Sequence, residues 1–493
     1  MPVFKDHSFR LGASAQGDDV YEIGNSIRFN RTSTTADHYM HRTPSGAGNR
    51  KKWTWSCWFK LGEVNGAVAG SSLYYTFLSV DVATNSSNRG RIVINNDSGI
   101  SDNMNIMLSA HSTKFMVAEK KVNDPTAWYH LVIVWDTDND LADNRQKMFI
   151  NGERIIDFLD YNTPSDEQEI GINLASEHRL GAIKNISNGA AQFPFDGYMA
   201  EIFFLDGYAY DASYFGQFNS DGIWIPIDYN TETGDYGSNG FYLKGDNAAT
   251  LGNSDVNSNH FTLVGITNHD QTTDTPNNNF AVLNTLDVYS TSPTNGNLKY
   301  AGSNGKVRAT IPIPTSGKWY WEIRADASRF YGGLISLSNA FSTSLVITSN
   351  AGSGYYTLER QSTTNAFYNA STSSTSLGSQ TLSSGDVMAF AYDSDTRKLW
   401  IGYDGGSGSV AWYSSGDPAS GSNELATLAD DQYSVFVYDN SSLYSTSFNF
   451  GQEGTFGGAE TAGGNKDKNN IGNFFYAVPT GYLALCTRNL FTG

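Results

Sequence analysis

Acidic residues at short spacing are the part of this sequence that could perform chemistry. Glu167 and Glu169 stand two residues apart in the stretch PSDEQEIG. Alternate residues of a strand lie about 6.5 Å apart on one face, and paired carboxylates roughly 5–10 Å apart can cleave glycosidic bonds. The surrounding stretch is polar and loop-like, however, so we interpret the pair as solvated surface and predict no catalytic residues.

A second acidic stretch could bind a metal ion. Asp136, Asp138 and Asp140 alternate in DTDND, a pattern that supplies the oxygen ligands calcium prefers. An EF-hand loop would require Gly at its sixth position and Glu at its twelfth, where this sequence has Leu141 and Lys147. Two interpretations stay open. The three aspartates are ligands of a calcium site of another kind, or they are acidic surface residues of a hairpin loop. No other cofactor is expected.

Histidine and cysteine give no further sign of a site. His38 and His41 are three residues apart, so on a strand they would face opposite sides and could not share a metal. Cys57 and Cys486 are the two cysteines, and we predict two buried apolar residues rather than a disulfide. The sequence contains no nucleophile elbow, phosphate-binding Gly-rich loop or His-Glu-x-x-His motif. We therefore predict that the protein is not an enzyme.

Loop tyrosines are the remaining candidates for a binding site. Sugar recognition commonly uses the face of an aromatic ring together with a few placed polar groups. We predict that ligand contact involves the tyrosines that follow the turn Asp206-Gly207, which are Tyr208, Tyr210, Tyr214, Tyr229 and Tyr236. The alternative is that these rings pack onto the edge of the fold or onto a neighbouring subunit.

The elements that must position these residues are strands. Trp128–Trp135 is almost entirely β-branched or aromatic and apolar on both alternating faces, which is typical of a strand buried between two layers. Asn151-Gly152 supplies the two positive-φ residues of a tight hairpin turn. A second alternating strand, 53–59, would place its aromatic residues and one cysteine on a single face, namely Trp53, Trp55, Cys57 and Phe59. These patterns predict the centre of a β-sandwich.

Length and charge exclude several classes of protein. A chain of 493 residues exceeds one ordinary core, so two domains are expected. The formal net charge is −18, which would repel nucleic acid because phosphate binding depends on Lys and Arg. No apolar run has the length of a membrane helix, and the first residues lack the apolar core of a signal peptide. We predict no nucleic-acid binding and no membrane insertion.

Several stretches together resemble known domains. NSIRFNRTSTTADHYMHRTPSGAGNRKKWTWSCWFKLG, WYHLVIVWDT, NRQKMFINGERI and FDGYMAEIFFLDGYAYDASYFGQFN resemble the concanavalin A-like (laminin G-like) domain, in the version found in virion proteins of marine bacteriophages. That resemblance covers about residues 24–290. GKWYWEI, SGDVMAFAYDSDTRKLWIGYDGG and STSFNFGQ resemble a SPRY domain over about residues 300–493, although 332–385 match poorly.

Pattern and resemblance together predict an all-β protein with two β-sandwich (jelly-roll) domains in tandem and a short N-terminal arm. The expected divisions are a docking arm at 1–24, a concanavalin A-like sandwich at 25–264, a connector at 265–300 rich in Asn, Thr, Asp and Pro, and a SPRY-like sandwich at 301–493.

The resemblance also implies a function. It indicates a bacteriophage virion structural protein of the tail-fibre, spike or head-decoration type, assembled in the host cytoplasm. Residues 1–24 would bind other virion proteins, the chain would form a homotrimer, and its lectin-like domains would contact other subunits and glycans of the host surface. Two alternatives share the fold: a particle-borne polysaccharide-degrading enzyme, and a free bacterial lectin or adhesin.

Overall fold

Two compact units make up the chain, residues 1–277 and 278–493. The structure is a computed structural model, and it describes residues 21–31, 37–64, 73–82, 88–96, 104–110, 113–229, 234–302, 305–327, 329–339, 354–361, 364–370, 374–377, 383–404, 409–439 and 444–490. The elements it gives in these ranges are strands and short 3-10 turns.

The described residues of unit 1 form twenty strands. They are β1 (Ser26–Phe29), β2 (Tyr39–Arg42), β3 (Lys52–Leu61), β4 (Leu73–Val80), β5 (Gly90–Asn96), β6 (Asn105–Ala110), β7 (Thr113–Lys121), β8 (Trp128–Asp136), β9 (Gln146–Ile150), β10 (Glu153–Arg154), β11 (Phe158–Tyr161), β12 (His178–Leu180), β13 (Ile183–Lys184), β14 (Ala191–Gln192), β15 (Gly197–Asp206), β16 (Gly216–Phe218), β17 (Trp224–Pro226), β18 (Phe241–Leu243), β19 (Thr262–Val264) and β20 (Gln271–Thr272). The 3-10 turns are Ala142–Asn144, Ala212–Tyr214, Ala248–Thr250 and Asn268–Asp270.

Two antiparallel sheets form this unit. One has the order β10-β9-β8-β3-β15-β1-β20, with β18 also paired to β15, and the other has the order β11-β7-β6-β5-β4-β12-β2-β19. Two-stranded ribbons, β13-β14 and β16-β17, lie outside these sheets. The inward faces of the central strands fill the core, because Trp53, Trp55 and Phe59 of β3 and the odd-numbered residues of β8 belong to one buried cluster.

The central strand β8 is buried on both faces, as its sequence predicted. Its outward residues Trp128, Val132 and Val134 pack into a second cluster beneath the segment 207–229, which covers that face of the sheet. The predicted hairpin turn is also present, with φ of 51° at Asn151 and 79° at Gly152 between β9 and β10. The covering segment carries four of the five predicted tyrosines, all except Tyr236.

The stretch 265–300 differs from the predicted connector. β20 pairs with β1 inside unit 1, and the boundary between the units falls at 277/278. Two acidic residues that the sequence assigned to a loop are instead buried and paired with buried cations. Arg28 pairs with Asp270 at 3.2 Å, and Lys60 pairs with Asp274 at 2.8 Å. Part of the polar composition of this stretch therefore comes from ion pairs inside the sandwich. Such pairs cannot be predicted from the alternation of apolar residues along a strand.

Unit 2 contains the remaining strands. They are β21 (Leu283–Tyr289), β22 (Lys299–Tyr300), β23 (Gly305–Ala309), β24 (Lys318–Ala325), β25 (Arg329–Ser336), β26 (Tyr355–Gln361), β27 (Thr364–Asn369), β28 (Ser374–Ser376), β29 (Val387–Asp393), β30 (Lys398–Tyr403), β31 (Ala411–Trp412), β32 (Ala426–Thr427), β33 (Tyr433–Asp439), β34 (Thr446–Asn449) and β35 (Leu483–Ala484). The 3-10 turns are Tyr413–Ser415 and Thr487–Asn489.

These strands form two more sheets. One has the order β21-β23-β33-β25-β26-β27-β28, and the other has the order β22-β34-β24-β29-β30-β31, with β32 paired to β30 and β35 to β24. Trp319, Trp321 and Ile323 of β24 share the core face, as their alternation predicted. The Ser/Thr/Gly-rich part 332–385 contributes strands β25 to β28 where it is described. The stretch matched poorly in sequence because it is rich in Ser, Thr and Gly, although Phe330, Leu334 and Leu358 of its strands are buried in the core.

The predicted fold class, all-β with two sandwich domains in tandem, is thus confirmed. Cys57 and Cys486 are both buried free thiols, as expected, and burial raises the pKa of Cys486 to about 12. Among the described residues there is no helix with the length and hydropathy of a membrane span.

A buried acid anchors the beginning of the described chain. Residues 1–20 of the predicted docking arm lie outside the described residues, but Tyr21 and Ile23 contact unit 1. The hydroxyl of Tyr21 donates to Glu201 Oε2 at 3.0 Å, and the N–H of Ile23 donates to Asn277 at 2.9 Å. Tyr242 also donates its hydroxyl to Glu201, at 2.7 and 2.8 Å. Burial raises the pKa of Glu201 to about 7.

This raised pKa predicts a pH-dependent contribution to stability. A carboxyl whose pKa is higher in the folded chain stabilises fully below its unfolded pKa, and the contribution is lost as the pH rises through the folded value. The destabilisation caused by Glu201→Gln should therefore shrink by about 2 kcal/mol between pH 5 and pH 7.5. Urea unfolding of both proteins at these two pH values measures the change.

The comparison must be made between variant and parent at each pH. Burial lowers the pKa of His130 to about 3 and that of His178 to about 4. In the parent protein these two histidines therefore make stability rise with pH, over part of the range in which the Glu201 contribution falls. Their contribution cancels in the difference. A difference that stays constant from pH 5 to pH 7.5 would contradict the prediction.

Candidate functional site

Three loops of unit 1 meet at one end of a sheet because of how their strands pair. Asp206, the last residue of β15, lies opposite Trp53 near the start of β3. β18 runs antiparallel to β15, with Phe241 opposite Phe204, so its first residue also lies near the end of β15. The loops 43–51, 207–211 and 234–240 are attached at these positions. They are therefore held next to one another.

A buried carboxylate ties these loops together. Asp206 Oδ1 accepts hydrogen bonds from the backbone N–H of Asn49 at 2.7 Å and from the side-chain amide of Asn173 at 2.6 Å. Its Oδ2 accepts from the backbone N–H of Asn239 at 3.0 Å. The amide of Asn239 continues the network, donating to Asn173 Oδ1 at 2.9 Å and to the carbonyl of Gly46 at 3.0 Å. We call Asp206, Asn173 and Asn239 the polar hub.

The hub leaves no room for larger residues in two of the loops. A Cβ atom at Gly48 would lie 2.4 Å from the amide of Asn173 and 2.6 Å from Asp206 Oδ1. Gly237 has φ of +70°, and a Cβ there would lie 1.9 Å from the carbonyl oxygen of Asp206. Both loops approach Asp206 this closely because they have glycine at these positions.

An open cavity of about 580 Å³ lies between the loops. Residues 45–49, 206–208 and 237–239 line it. Ser45, Asn49 and Ser238 are exposed in it, whereas the polar hub is buried. None of these lining residues is Lys or Arg. The cavity therefore offers hydroxyl, amide and backbone groups without a cation.

Tyr208 belongs both to this cavity and to a row of rings beside it. The rings of Tyr208 and Tyr210 stack with centroids 5.7 Å apart, and those of Tyr210 and Tyr214 with centroids 4.2 Å apart. All three side chains are half-buried. Thr54 fixes the backbone of the row, donating its hydroxyl to the carbonyl of Tyr208 and accepting from the N–H of Tyr210, both at 2.9 Å. We call these three tyrosines the tyrosine row.

The other two predicted tyrosines have a different role. Tyr229 and Tyr236 are 1% and 7% exposed and pack edge to face beneath the loops, with centroids 5.4 Å apart. The hydroxyl of Tyr229 donates to the carbonyl of Asp235 at 2.6 Å, and Asp235 in turn accepts from Tyr210 at 3.1 Å. Both side chains therefore support the loops, and ligand contact by Tyr229 and Tyr236 stays a prediction. Their apolar neighbours in space were not visible in the sequence.

The predicted calcium ligands do not come together as a site. Among the described residues no group of three His, Cys, Asp or Glu side chains is placed to hold a metal ion. Asp136 pairs with Lys52 at 3.1 Å and accepts from the amide of Asn139 at 3.2 Å, while Asp138 and Asp140 are exposed. The arrangement matches the hairpin-loop interpretation, and calcium binding stays a prediction.

The two glutamates considered for catalysis are each paired with a cation. Glu167 lies 3.4 Å from Lys51 and Glu169 lies 2.5 Å from Arg50. Their side chains are 68% and 43% exposed. This matches the solvated-surface interpretation.

A serine–histidine contact in unit 1 resembles a catalytic dyad but cannot act as one. Ser56 Oγ and His130 Nε2 are 2.8 Å apart, and the indole N–H of Trp224 donates to His130 Nδ1 at 3.1 Å. An indole nitrogen can only donate, so Nδ1 is the acceptor and Nε2 of the neutral ring carries the proton. That nitrogen donates to Ser56 and cannot take its proton. Both side chains are also buried.

Sequence reasoning missed the polar hub. Asp206 was recognised only as part of a turn, and Asn173 and Asn239 were not singled out. A usable signal was present, because SGAGN and GSNG are Gly/Asn-rich stretches directly before strands β3 and β18. Such stretches allow the backbone to approach a carboxylate closely.

Comparison with known proteins gives partial likenesses. No protein-family profile matches the chain. No curated protein matches it. Among solved structures, part of the chain is similar to the native heptameric SAP-like pentraxin from Limulus polyphemus, with 15% identity and a TM-score of 0.27, over 39% of this chain and 80% of that one.

Two further similarities are to SPRY domains. The TRIM65 PSpry domain gives 11% identity and a TM-score of 0.26, over 34% of this chain and 91% of that one. The SPRY domain of human HERC1 gives 15% identity and a TM-score of 0.23, over 34% of this chain and 96% of that one.

Proposed function

We propose that the protein is a non-enzymatic virion component of a bacteriophage that binds neutral glycans of the host surface through the cavity and the tyrosine row of unit 1. The observation that supports glycan binding is the continuity of the two features through Tyr208. A polar cavity next to a row of half-exposed rings combines hydrogen bonding with an apolar platform, the combination that sugar rings require.

The chemistry of the cavity selects the class of glycan. Ser45, Asn49 and Ser238 present hydroxyl and amide groups, which can exchange hydrogen bonds with sugar hydroxyls. The lining includes no cation, and its one charged residue is Asp206. Sulfated or uronic sugars would bring negative charge next to this carboxylate. Neutral hexoses are therefore the proposed ligands.

Removal of one ring from the tyrosine row tests the proposal. Tyr210→Ala should weaken glycan binding by about five- to tenfold, because a stacked ring contributes about 1 to 1.4 kcal/mol. Binding is measured by titration on an array of neutral and anionic bacterial surface polysaccharides. The neutral members should bind more tightly.

Tyr161→Ala is the matched control, since Tyr161 is 39% exposed on the edge strand β11 and does not line the cavity. Equal effects of Tyr161→Ala and Tyr210→Ala, or preferential binding of anionic polysaccharides, would contradict the proposed site. Repeating the titration with EDTA tests the calcium prediction, because a loss of binding would assign a role to the metal.

The virion assignment is supported by the resemblance of the sequence motifs and is tested separately. Immunogold labelling of purified particles should place the protein on the virion, and crosslinking should connect residues 1–24 to another virion protein. Sedimentation of the purified chain checks the proposed homotrimer. Absence from purified particles would favour the alternative of a free bacterial lectin.

A further inference from the structure

A second cavity, of about 430 Å³, lies at one end of the unit 2 sandwich. Three connections enclose it: the loop between β23 and β24, the turn between β29 and β30, and the loop before β33. Its floor consists of Ile313 and of the rings of Tyr392 and Tyr433, which meet edge to face with centroids 6.2 Å apart. The floor is therefore apolar and rigid.

The rim of this cavity is acidic. Asp395, Asp430 and Asp431 stand on it against one cation, Arg397, so the lining carries three negative charges and one positive charge. The side chain of Asp430 is 95% exposed and lies 4.0 Å from Arg397. Exposure and distance make this a weak ion pair, so Asp430 is available to another cation.

The hydroxyl of Tyr392 also reaches the cavity. Tyr392 is 3% exposed, and its hydroxyl has no hydrogen-bond partner among the described residues, although the oxygen is not sealed from solvent. Tyr433, in contrast, donates its hydroxyl to the carbonyl of Ala429 at 3.0 Å. Because the Tyr392 oxygen is accessible from the cavity, a ligand there can donate a hydrogen bond to it.

We propose that this cavity binds a lysine or arginine side chain of a partner protein. The aliphatic part of the side chain packs on Ile313 and the two tyrosine rings. Its cationic group lies among the rim carboxylates and donates to the hydroxyl oxygen of Tyr392. The site goes beyond the glycan site of unit 1, because its ligand is a protein and its specificity is electrostatic.

Size and charge distinguish the occupant from a glycan. The cavity is a single cup enclosed by three short connections, which suits one side chain projecting from a protein backbone. The unit 1 cavity continues into a row of half-exposed rings, whereas the floor tyrosines here are 3% and 2% exposed. A neutral sugar would also gain nothing from the excess negative charge of the rim, whereas a cationic side chain is attracted by it.

The test uses the full chain and small peptide probes. Saturation-transfer NMR titrations compare four N-acetyl, C-amidated tripeptides, Gly-X-Gly, with X as arginine, lysine, norleucine or glutamate. The arginine and lysine probes should bind at least tenfold more tightly than the norleucine probe, and the glutamate probe should not bind. Raising the salt concentration from 20 to 300 mM should weaken the binding.

Three variants assign the binding to this cavity. Asp430→Asn should weaken the arginine probe about threefold, Asp395→Asn/Asp430→Asn at least tenfold, and Tyr392→Phe about threefold. Asp221→Asn, at an exposed loop of unit 1, is the control and should have no effect. Asp430 is so exposed that its substitution leaves folding unchanged, and thermal unfolding verifies this for every variant.

The proposal is overturned if the norleucine probe binds as tightly as the arginine probe, or if Asp395→Asn/Asp430→Asn binds like the parent. Tighter binding of a free amino sugar, tested with glucosamine, would also overturn it in favour of a second glycan site.

Discussion

Asp206→Ala is expected to abolish glycan binding, with a loss of at least a hundredfold. The carboxylate accepts hydrogen bonds from the backbone of two loops and from Asn173. Hydrogen bonds to a charged group contribute about 1.5–3 kcal/mol each, so removal of three of them releases the loops that form the cavity. The sandwich itself should stay folded, because the substitution leaves every apolar residue that packs between the sheets in place. Titration on the polysaccharide array measures binding, and far-UV circular dichroism checks the fold.

Two further variants make this result specific. Asp206→Asn keeps one acceptor oxygen but turns an NH₂ group toward the N–H of Asn239, so a partial loss of about tenfold is expected. Asp221→Ala removes an exposed carboxylate elsewhere in unit 1 and should bind like the parent. If Asp206→Ala binds within twofold of Asp221→Ala, the hub does not organise the site.

Glu322→Leu is expected to destabilise unit 2 by about 3–5 kcal/mol. The side chain is fully buried on β24, and four groups donate to it: the hydroxyl of Tyr320 at 3.0 Å, the amide of Asn449 at 3.0 Å, and the N–H groups of Phe475 and Tyr476 at 2.9 and 2.8 Å. Leucine fills the space but leaves all four donors without an acceptor. Urea unfolding measures the loss, and limited proteolysis reports release of the segment 473–476.

Glu322→Gln serves as the matched variant. Its amide oxygen still accepts from two donors, so we expect a smaller cost of about 1–2 kcal/mol. Burial raises the pKa of Glu322 to about 7, so the comparison is made at one fixed pH. A Glu322→Leu protein as stable as the parent would show that burying the carboxyl costs as much as its hydrogen bonds contribute.

Alternation of apolar residues was sufficient to predict the central strands. Trp53, Trp55 and Cys57 share the core face of β3, and the apolar run 128–135 is one strand buried on both sides. The Asn151-Gly152 turn was predictable because positive φ at two successive positions strongly favours this pair of residues. These signals are local, so one sequence was enough to read them.

The polar interior could not be predicted in the same way. Asp206, Asn173 and Asn239 are brought together by strand pairing over 33 to 66 positions of sequence. Asp270 and Asp274 read as connector residues because their cations, Arg28 and Lys60, lie more than two hundred positions earlier. In the sequence, Tyr229 and Tyr210 are both tyrosines of polar loops and cannot be told apart. Only the packing of the segment 207–229 over β8 decides which of the two is buried.

The separation of the polar hub from the rim of the unit 1 cavity has a consequence for how recognition can diversify. Asp206, Asn173 and Asn239 hold the loop backbones, whereas Ser45, Ala47 and Ser238 are exposed at the tips. Exchange of the tip residues would alter the preferred sugar while the scaffold beneath keeps its shape. In the proposed glycan-binding role, surface substitutions alone would then change specificity, and the same positions are the natural choice for a library aimed at new carbohydrate targets.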